Sequence, residues 1–178
     1  MKKYIIFVLF ILTSNYVFGQ ATQISTLNIS KGSSVDMYFN SETKLSDGIT
    51  YTDWTRFRIR IDISTAAVPE PGVSWSLDVN RIGGDPIPGD VSPDLPADVL
   101  LIRAVYYGTD ATLDTGIIPI VGVTNLFSVA TAVDQNQIDD FIDITYYVGV
   151  TAQGCTTVLG EEADFYFTDL NYNLTVTW

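Results

Sequence analysis

The chain lacks histidine altogether and contains a single cysteine, Cys155. Without histidine, neither a Ser-His-Asp nor a Cys-His catalytic arrangement can form, and zinc sites built on imidazole are excluded. One cysteine cannot form an internal disulfide, so the core must stabilise the fold without one. We expect Cys155 to be a buried small hydrophobic residue, and the alternative is an intermolecular disulfide.

Basic residues are also scarce, since 9 Lys and Arg stand against 21 Asp and Glu, which gives a formal net charge of −12. An acidic chain without basic clusters is repelled by nucleic acid and by anionic lipid, so neither is expected as a partner. Charged residues make up only 17% of the chain and hydrophobic residues 47%, which excludes wholesale disorder. A length of 178 residues is sufficient for one domain with a proper core.

A long apolar run occurs at the beginning of the chain, where residues 1–19 have the features of a secretory signal peptide. Lys2 and Lys3 supply the positive start, residues 4–12 are apolar, and Gly19 precedes the expected cleavage site. The run is too short to span a bilayer, and no later segment reaches the roughly 20 apolar residues that a spanning helix needs. We therefore predict a signal peptide at residues 1–19, one domain at residues 20–178 and no membrane span after cleavage. The expected location is the periplasm, the outer surface or the extracellular space.

Apolar and polar residues alternate with a period of two through most of the chain, which predicts strands. The clearest example is residues 54–63, where Phe57, Ile59 and Ile61 fall on one face and the intervening arginines on the other. Turn signals such as those at residues 46–48 and 114–116 separate the strands. Ten segments are candidates, from which about nine strands are expected: residues 22–30, 35–40, 54–63, 74–80, 99–107, 117–123, 126–131, 142–150, 163–168 and 170–178. This pattern predicts an all-β fold, a two-sheet antiparallel β-sandwich of immunoglobulin-like or jelly-roll-like type, with a closed barrel as the alternative.

Residues 83–98 interrupt the alternation with four prolines and four aspartates. Proline removes a backbone donor, so this Pro/Asp-rich segment is expected to be a long loop of the same domain. Hard cations such as calcium prefer several carboxylate and carbonyl oxygens. The candidate calcium ligands are therefore Asp85, Asp90, Asp94 and Asp98. Their spacing matches no EF-hand loop, so a solvated acidic loop is the alternative, and no cofactor is expected.

Several segments carry a resemblance to known secreted proteins. They are residues 35–40 (VDMYFN), 45–50 (LSDGIT), 58–61 (RIRI), 75–79 (WSLDV) and 172–178 (YNLTVTW). They resemble secreted Bacteroidota β-sandwich surface proteins and, more distantly, spore-coat-U-like and chaperone–usher pilin-like subunits. The resemblance implies a surface, filament or adhesion role, and it brings no catalytic residues. Pilin subunits of the usher type often have a cysteine pair, whereas this chain has one cysteine.

Two sets of residues are candidates for binding a protein partner. Arg56, Arg58 and Arg60 project from one face of one predicted strand, where guanidinium groups can dock a carboxylate or a polyanion. Cross-strand pairing with the chain's own aspartates is the alternative. The second set lies in the last predicted strand, which is a candidate for pairing with a neighbouring sheet or simply closes the sandwich. Its residues are Leu174, Val176 and Trp178.

Aromatic residues suggest a different kind of site. Tyr51, Trp54 and Tyr107 are candidates for a sugar-binding platform, although aromatic residues are also ordinary strand formers and core fillers. Retaining glycosidase chemistry would need two carboxyl groups about 5 Å apart from different segments, and the adjacent pairs Asp139/Asp140 and Glu161/Glu162 would point to opposite faces of a strand. We therefore expect no enzyme. The predicted function is that of an exported structural or adhesive subunit that binds envelope or surface proteins, itself included, through strand edges. A carbohydrate-binding accessory module is the alternative.

Overall fold

The computed structural model describes residues 22–34, 39, 41–64, 73–84, 86–90, 93–109, 111–130, 137–161, 166 and 168–177. The predicted signal peptide, Trp178 and most of the expected strands at 35–40 and 163–168 lie outside these residues. The described part contains eight strands: β1 (Thr22–Lys31), β2 (Ile49–Ser64), β3 (Ser74–Ile82), β4 (Leu100–Tyr107), β5 (Thr112–Pro119), β6 (Val123–Ala130), β7 (Gln137–Val148) and β8 (Asp169–Thr177).

The strands form two antiparallel sheets, which confirms the predicted all-β two-sheet sandwich. The larger sheet has the order β1-β2-β7-β4-β5, and the smaller sheet has the order β6-β3-β8. The edges of the two sheets converge, because β8 comes close to β1 and β6 comes close to β5. Eight strands rather than about nine are found in the described residues.

The alternation in the sequence is the reason for this packing. On β2, Phe57, Ile59 and Ile61 are at most 2% exposed, and on β3, Trp75 and Leu77 are equally buried. Successive strand residues point to opposite sides, so each strand gives one apolar face to the space between the sheets. Arg56, Arg58 and Arg60, at the intervening positions of β2, are exposed and define what we call the outer face of the larger sheet.

Two of the local predictions are wrong. Residues 114–116, expected to form a turn, instead make an irregularity within β5, where the Gly116 N–H donates to Oδ1 of Asp114 at 2.9 Å. The strand expected at 117–123 is interrupted after Pro119, and Val123 opens β6. In addition, a short helix, α1 (Glu42–Asp47), forms between β1 and β2 without a buried residue. Ser41 caps its first turn, and Gly48 follows its end with φ 76°.

The Pro/Asp-rich segment forms no ladder strand, as expected, but it is anchored to the core. Ile87 and Leu95 bond to each other through two backbone hydrogen bonds of 2.9 Å, and both side chains are buried. A short 3-10 turn, Ala97–Val99, then leads into β4. The apolar residues inside the loop hold it against the sandwich, while the aspartates at 90, 94 and 98 remain exposed.

Cys155 is buried, as expected, because the chain after β7 folds over one end of the outer face. This segment includes a 3-10 turn, Thr151–Gln153, and it places Cys155 against Leu101 and Tyr147. The cover explains why Leu100, Leu101 and Ile102 are all buried, although consecutive strand residues point to opposite sides. Burial raises the pKa of the Cys155 thiol.

Candidate functional site

The arginine row, Arg56, Arg58 and Arg60, lies on the outer face and is paired with carboxylates of the same sheet. Arg56 donates through Nε and Nη2 to the two carboxylate oxygens of Asp143, each at 2.6 Å. Arg58 makes the same two-pronged bond to Asp139. Arg60 has a longer contact, 3.3 Å, to Asp62 on its own strand.

The register between β2 and β7 determines which carboxylate Arg56 and Arg58 each reach. Arg56 lies directly opposite Asp143, whereas Arg58 lies opposite Phe141 and reaches diagonally to Asp139. Each bond favours the charged forms, so the pKa values of Arg56 and Arg58 are raised and that of Asp139 is lowered. The row is therefore largely neutralised by its own sheet, which weakens its attraction for an acidic partner. Docking of such a partner on the arginine row remains a prediction.

Two exposed aromatic residues lie beside the arginine row. Phe141 on β7 is 38% exposed and Tyr107 on β4 is 44% exposed, and the two are directly opposite each other in the sheet. The guanidinium carbon of Arg56 lies 5.7 Å from the centre of the Phe141 ring. Sequence reasoning proposed Tyr107 but missed Phe141. The signal that could have found it is the alternation of β7, in which Asp139, Phe141 and Asp143 share one face.

A shallow groove continues this surface toward the edge of the sheet. It has a volume of about 300 Å³ and lies between β1 and β2. Its lining residues are Ile24, Thr26, Asn28, Arg58 and Arg60. Arg58 belongs both to the groove and to the neighbourhood of Phe141, so the two features form one continuous surface.

The other two proposed sugar-binding residues lie at a different place. Tyr51 and Trp54 flank an irregularity of β2 and contact each other edge to face, with ring centres 5.3 Å apart. The Trp54 Nε1–H donates to the carbonyl oxygen of Ser34 at 2.7 Å. At this irregularity the Asp53 N–H donates to the Thr145 hydroxyl, four positions along β7 from Phe141. That spacing is roughly 13 Å, so the structure does not bring Trp54 together with Tyr107 in one platform.

The candidate calcium ligands are not brought together either. Asp85 lies outside the described residues, and Asp90 and Asp94 are exposed. Asp98 accepts a hydrogen bond from the Thr156 hydroxyl at 2.7 Å. In the part of the chain that the structure describes, no group of three or more Asp, Glu or Cys residues is arranged to hold a metal ion.

The last strand, β8, is an edge strand of the smaller sheet. It pairs with β3 along its whole length, and no other described strand pairs with its second edge. Leu174 and Val176 face the core and are half-buried, so both contribute to closing the sandwich. Trp178, the third residue proposed there, lies outside the described residues.

Beyond the second edge of β8 lies an incompletely covered part of β1. Ile29 is paired with Phe57, whose side chain faces the core and contacts the Tyr172 ring of β8 at 4.6 Å between ring centres. Paired residues of antiparallel strands point to the same face, so Ile29 also points toward the smaller sheet. Nevertheless Ile29 is 53% exposed. The smaller sheet therefore leaves Ile29 only partly covered.

Within the described residues, no helix is both long enough and apolar enough to cross a membrane. No protein-family model matches the chain, and no curated protein matches its sequence.

Proposed function

We propose that this chain is an exported, non-catalytic structural or adhesive subunit of the cell envelope or extracellular space. It binds protein chains, in the first place a second copy of itself, by strand pairing at the edge of β8 that pairs with no other described strand. The observation that carries the proposal is the exposure of Ile29, which points to the inner face of β1 beside that edge and is 53% exposed.

Two properties of this region favour the addition of a strand: the unpaired backbone groups of the edge and the exposed apolar surface beside it. An edge strand presents unpaired N–H and C=O groups, which a further strand can satisfy. A strand added to β8 lies about 4.8 Å beyond it, on the side where β8 comes close to β1 and Ile29 is exposed. Such pairing extends the smaller sheet and buries apolar surface of the larger one in a single step.

The smaller sheet has a second edge, β6, where Val123 is 73% exposed. If the β8 edge of one copy meets the β6 edge of the next, the contact is head-to-tail and produces a growing chain of subunits. If two β8 edges meet, the contact is symmetric and stops at a dimer. The formal net charge of −12 favours solubility of the free subunit before assembly.

The test is the molar mass of residues 20–178, measured by size-exclusion chromatography with light scattering over a series of protein concentrations. The edge variant is Ile29→Lys, which places a charge where the added strand would pack and leaves the buried core untouched. The matched control is Ile24→Lys, because Ile24 is 45% exposed on the same strand as Ile29 but points to the outer face with Arg58 and Arg60. High salt in the buffer removes assembly that depends only on surface charge.

We expect multimers that grow with concentration, persist in high salt and are reduced to monomer by Ile29→Lys but not by Ile24→Lys. A ladder of sizes indicates head-to-tail pairing, and a dimer indicates symmetric pairing. The proposal is overturned if the wild-type chain is monomeric at every concentration, or if Ile29→Lys assembles as the wild type does.

A further inference from the structure

We propose that the outer face of the larger sheet binds a neutral glycan chain, with Phe141 and Tyr107 as its stacking platform and Arg58 as its polar anchor. This site lies on β2, β7 and β4, on the side of the sheet away from the core. It does not depend on the β8 edge, so the two proposals can fail separately.

The aromatic pair supplies the apolar part of the site. Both rings are exposed, at 38% and 44%, and they lie directly opposite each other in the sheet. One side of a pyranose ring presents mainly C–H groups, and covering it with an aromatic ring removes apolar area from water. Two rings on adjacent strands offer this contact to two neighbouring sugars.

The register extends the platform into a row. Asn28, Arg58, Phe141 and Tyr107 are successive cross-strand neighbours on β1, β2, β7 and β4. Three strand spacings of about 4.8 Å make this row about 14 Å long, which suits a short oligosaccharide lying across the strands. At the β1 end the row enters the groove of about 300 Å³, which accommodates a further sugar.

The polar groups along the row match what hydroxyl groups need. Arg58 and Asp139 form a half-exposed ion pair, with 48% and 47% of their side chains accessible. Arg58 uses Nε and Nη2 in that pair, which leaves Nη1 to donate to a ligand. The Asp139 carboxylate keeps lone pairs that can accept from a ligand. A sugar hydroxyl both donates and accepts, so an ion pair satisfies it better than a single charge does. Asn28 adds an exposed amide with both functions.

The charges of this face and of the whole chain favour a neutral glycan over an acidic one. The guanidinium groups of Arg56 and Arg58 are each already bound to a carboxylate. A polyanion would have to displace these carboxylates and approach a chain with a formal net charge of −12. A neutral polysaccharide avoids both costs, and this is the occupant to which we commit.

The experiment is affinity electrophoresis of residues 20–178 in native gels that contain one polysaccharide each. The neutral probes are glucomannan, xyloglucan, β-glucan, mannan and dextran, and alginate is the acidic probe. The variants are Phe141→Ala and Tyr107→Ala, both at exposed positions. Trp54→Ala removes an aromatic residue of similar exposure outside the platform and is the matched control. Thermal unfolding of each variant confirms that it is folded.

We expect at least one neutral polysaccharide to retard the wild-type chain and the Trp54→Ala variant alike. Each platform variant should bind that polysaccharide about tenfold more weakly, the loss expected for one stacked ring. The proposal is overturned if none of the neutral probes retards the chain, if alginate alone does, or if Trp54→Ala abolishes the retardation while the platform variants keep it.

Discussion

Arg56 and Asp143, 87 residues apart in the chain, form a two-pronged ion pair in which the carboxylate is buried and the guanidinium is half-exposed. The exposed fractions of the two side chains are 3% and 46%. Arg58 and Asp139 make the same kind of bond one step further along the same strands, but there both side chains are about half-exposed. The two pairs therefore differ mainly in the burial of their carboxylates, which makes them a natural comparison.

We expect Arg56→Ala to destabilise the fold by about 2 kcal/mol, because it leaves the buried Asp143 carboxylate without its partner. The figure stays below that for a fully buried pair because water reaches the arginine side. Arg58→Ala should change stability little, since Asp139 remains hydrated. Urea unfolding at neutral pH measures both variants. Equal shifts in the urea midpoint for the two would contradict the assigned role of carboxylate burial.

The ion pair between Arg103 and Asp114 makes stability depend on pH. Arg103 on β4 binds the carboxylate of Asp114 on β5, and the Gly116 N–H donates to the same carboxylate at 2.9 Å. These bonds lower the pKa of Asp114 from 3.8 to about 2. Because the pKa is depressed in the folded state, the pair stabilises the fold fully above the unfolded value. That stabilisation is lost as the pH falls toward the folded value.

We therefore expect Asp114→Asn to be less stable than the wild type at neutral pH and to become equal to it as the pH falls from about 4 to about 2. The asparagine keeps an acceptor for the Gly116 N–H, so the difference reports the charge. Urea unfolding over this pH range measures it, and Arg103→Gln should behave in the same way. A difference between Asp114→Asn and the wild type that persists at the lowest pH would show that the charge of Asp114 is not its cause.

Gly32 and Gly116 have nearly the same backbone φ angle but different surroundings. Substitutions at these two positions therefore distinguish the cost of the backbone angle from the cost of a steric clash. Gly32 has φ 65° and Gly116 has φ 66°, a region that disfavours any side chain. A Cβ at Gly116 would meet nothing within 4 Å, whereas a Cβ at Gly32 would overlap the carbonyl group of Trp54. The Gly32 carbonyl also accepts from the Thr55 hydroxyl at 2.6 Å, so the backbone there is held in place.

Gly116→Ala should cost about 1 kcal/mol, the penalty of the backbone angle alone. Gly32→Ala should cost about 2 kcal/mol more, because the new methyl group collides with backbone atoms that have little freedom to move. Thermal or urea unfolding of the two variants gives the comparison directly. If Gly32→Ala is no worse than Gly116→Ala, the close approach of Trp54 to Gly32 does not exist in solution.

The alternation of apolar residues was enough to predict the fold class, because it specifies which face of each strand is buried. In β2 it also placed the arginine row correctly on the outer face. It could not identify the partners of those arginines, since Asp143 and Asp139 come into reach only through the register between β2 and β7.

The same limit explains the errors in the candidate site. Phe141 looks like any strand residue until β4 and β2 are placed on either side of it. Trp54 looked like a companion of Tyr107, yet an irregularity of β2 moves it to another part of the sheet. Residues 114–116, expected to form a turn, are instead part of β5. The Asp114 side chain accepts a hydrogen bond from the Gly116 N–H, so this backbone donor is satisfied within the strand.

The burial of Cys155 gives a prediction about its reactivity. Its Sγ atom lies 3.5 Å from the carbonyl oxygen of Tyr147 and 94% of the residue's surface is covered, since its exposed fraction is 6%. Burial raises the pKa of the thiol, which lowers the fraction of the reactive thiolate at any given pH. We expect the folded chain to react with a disulfide reagent only slowly, at the rate at which the segment after β7 opens, and the unfolded chain to react at once.

The control is Ala152→Cys in a Cys155→Ala background, because residue 152 is exposed in the same segment and should react rapidly in the folded state. Rapid labelling of native Cys155, or disulfide-linked dimers in the wild-type protein, would contradict the observed packing and favour the intermolecular disulfide.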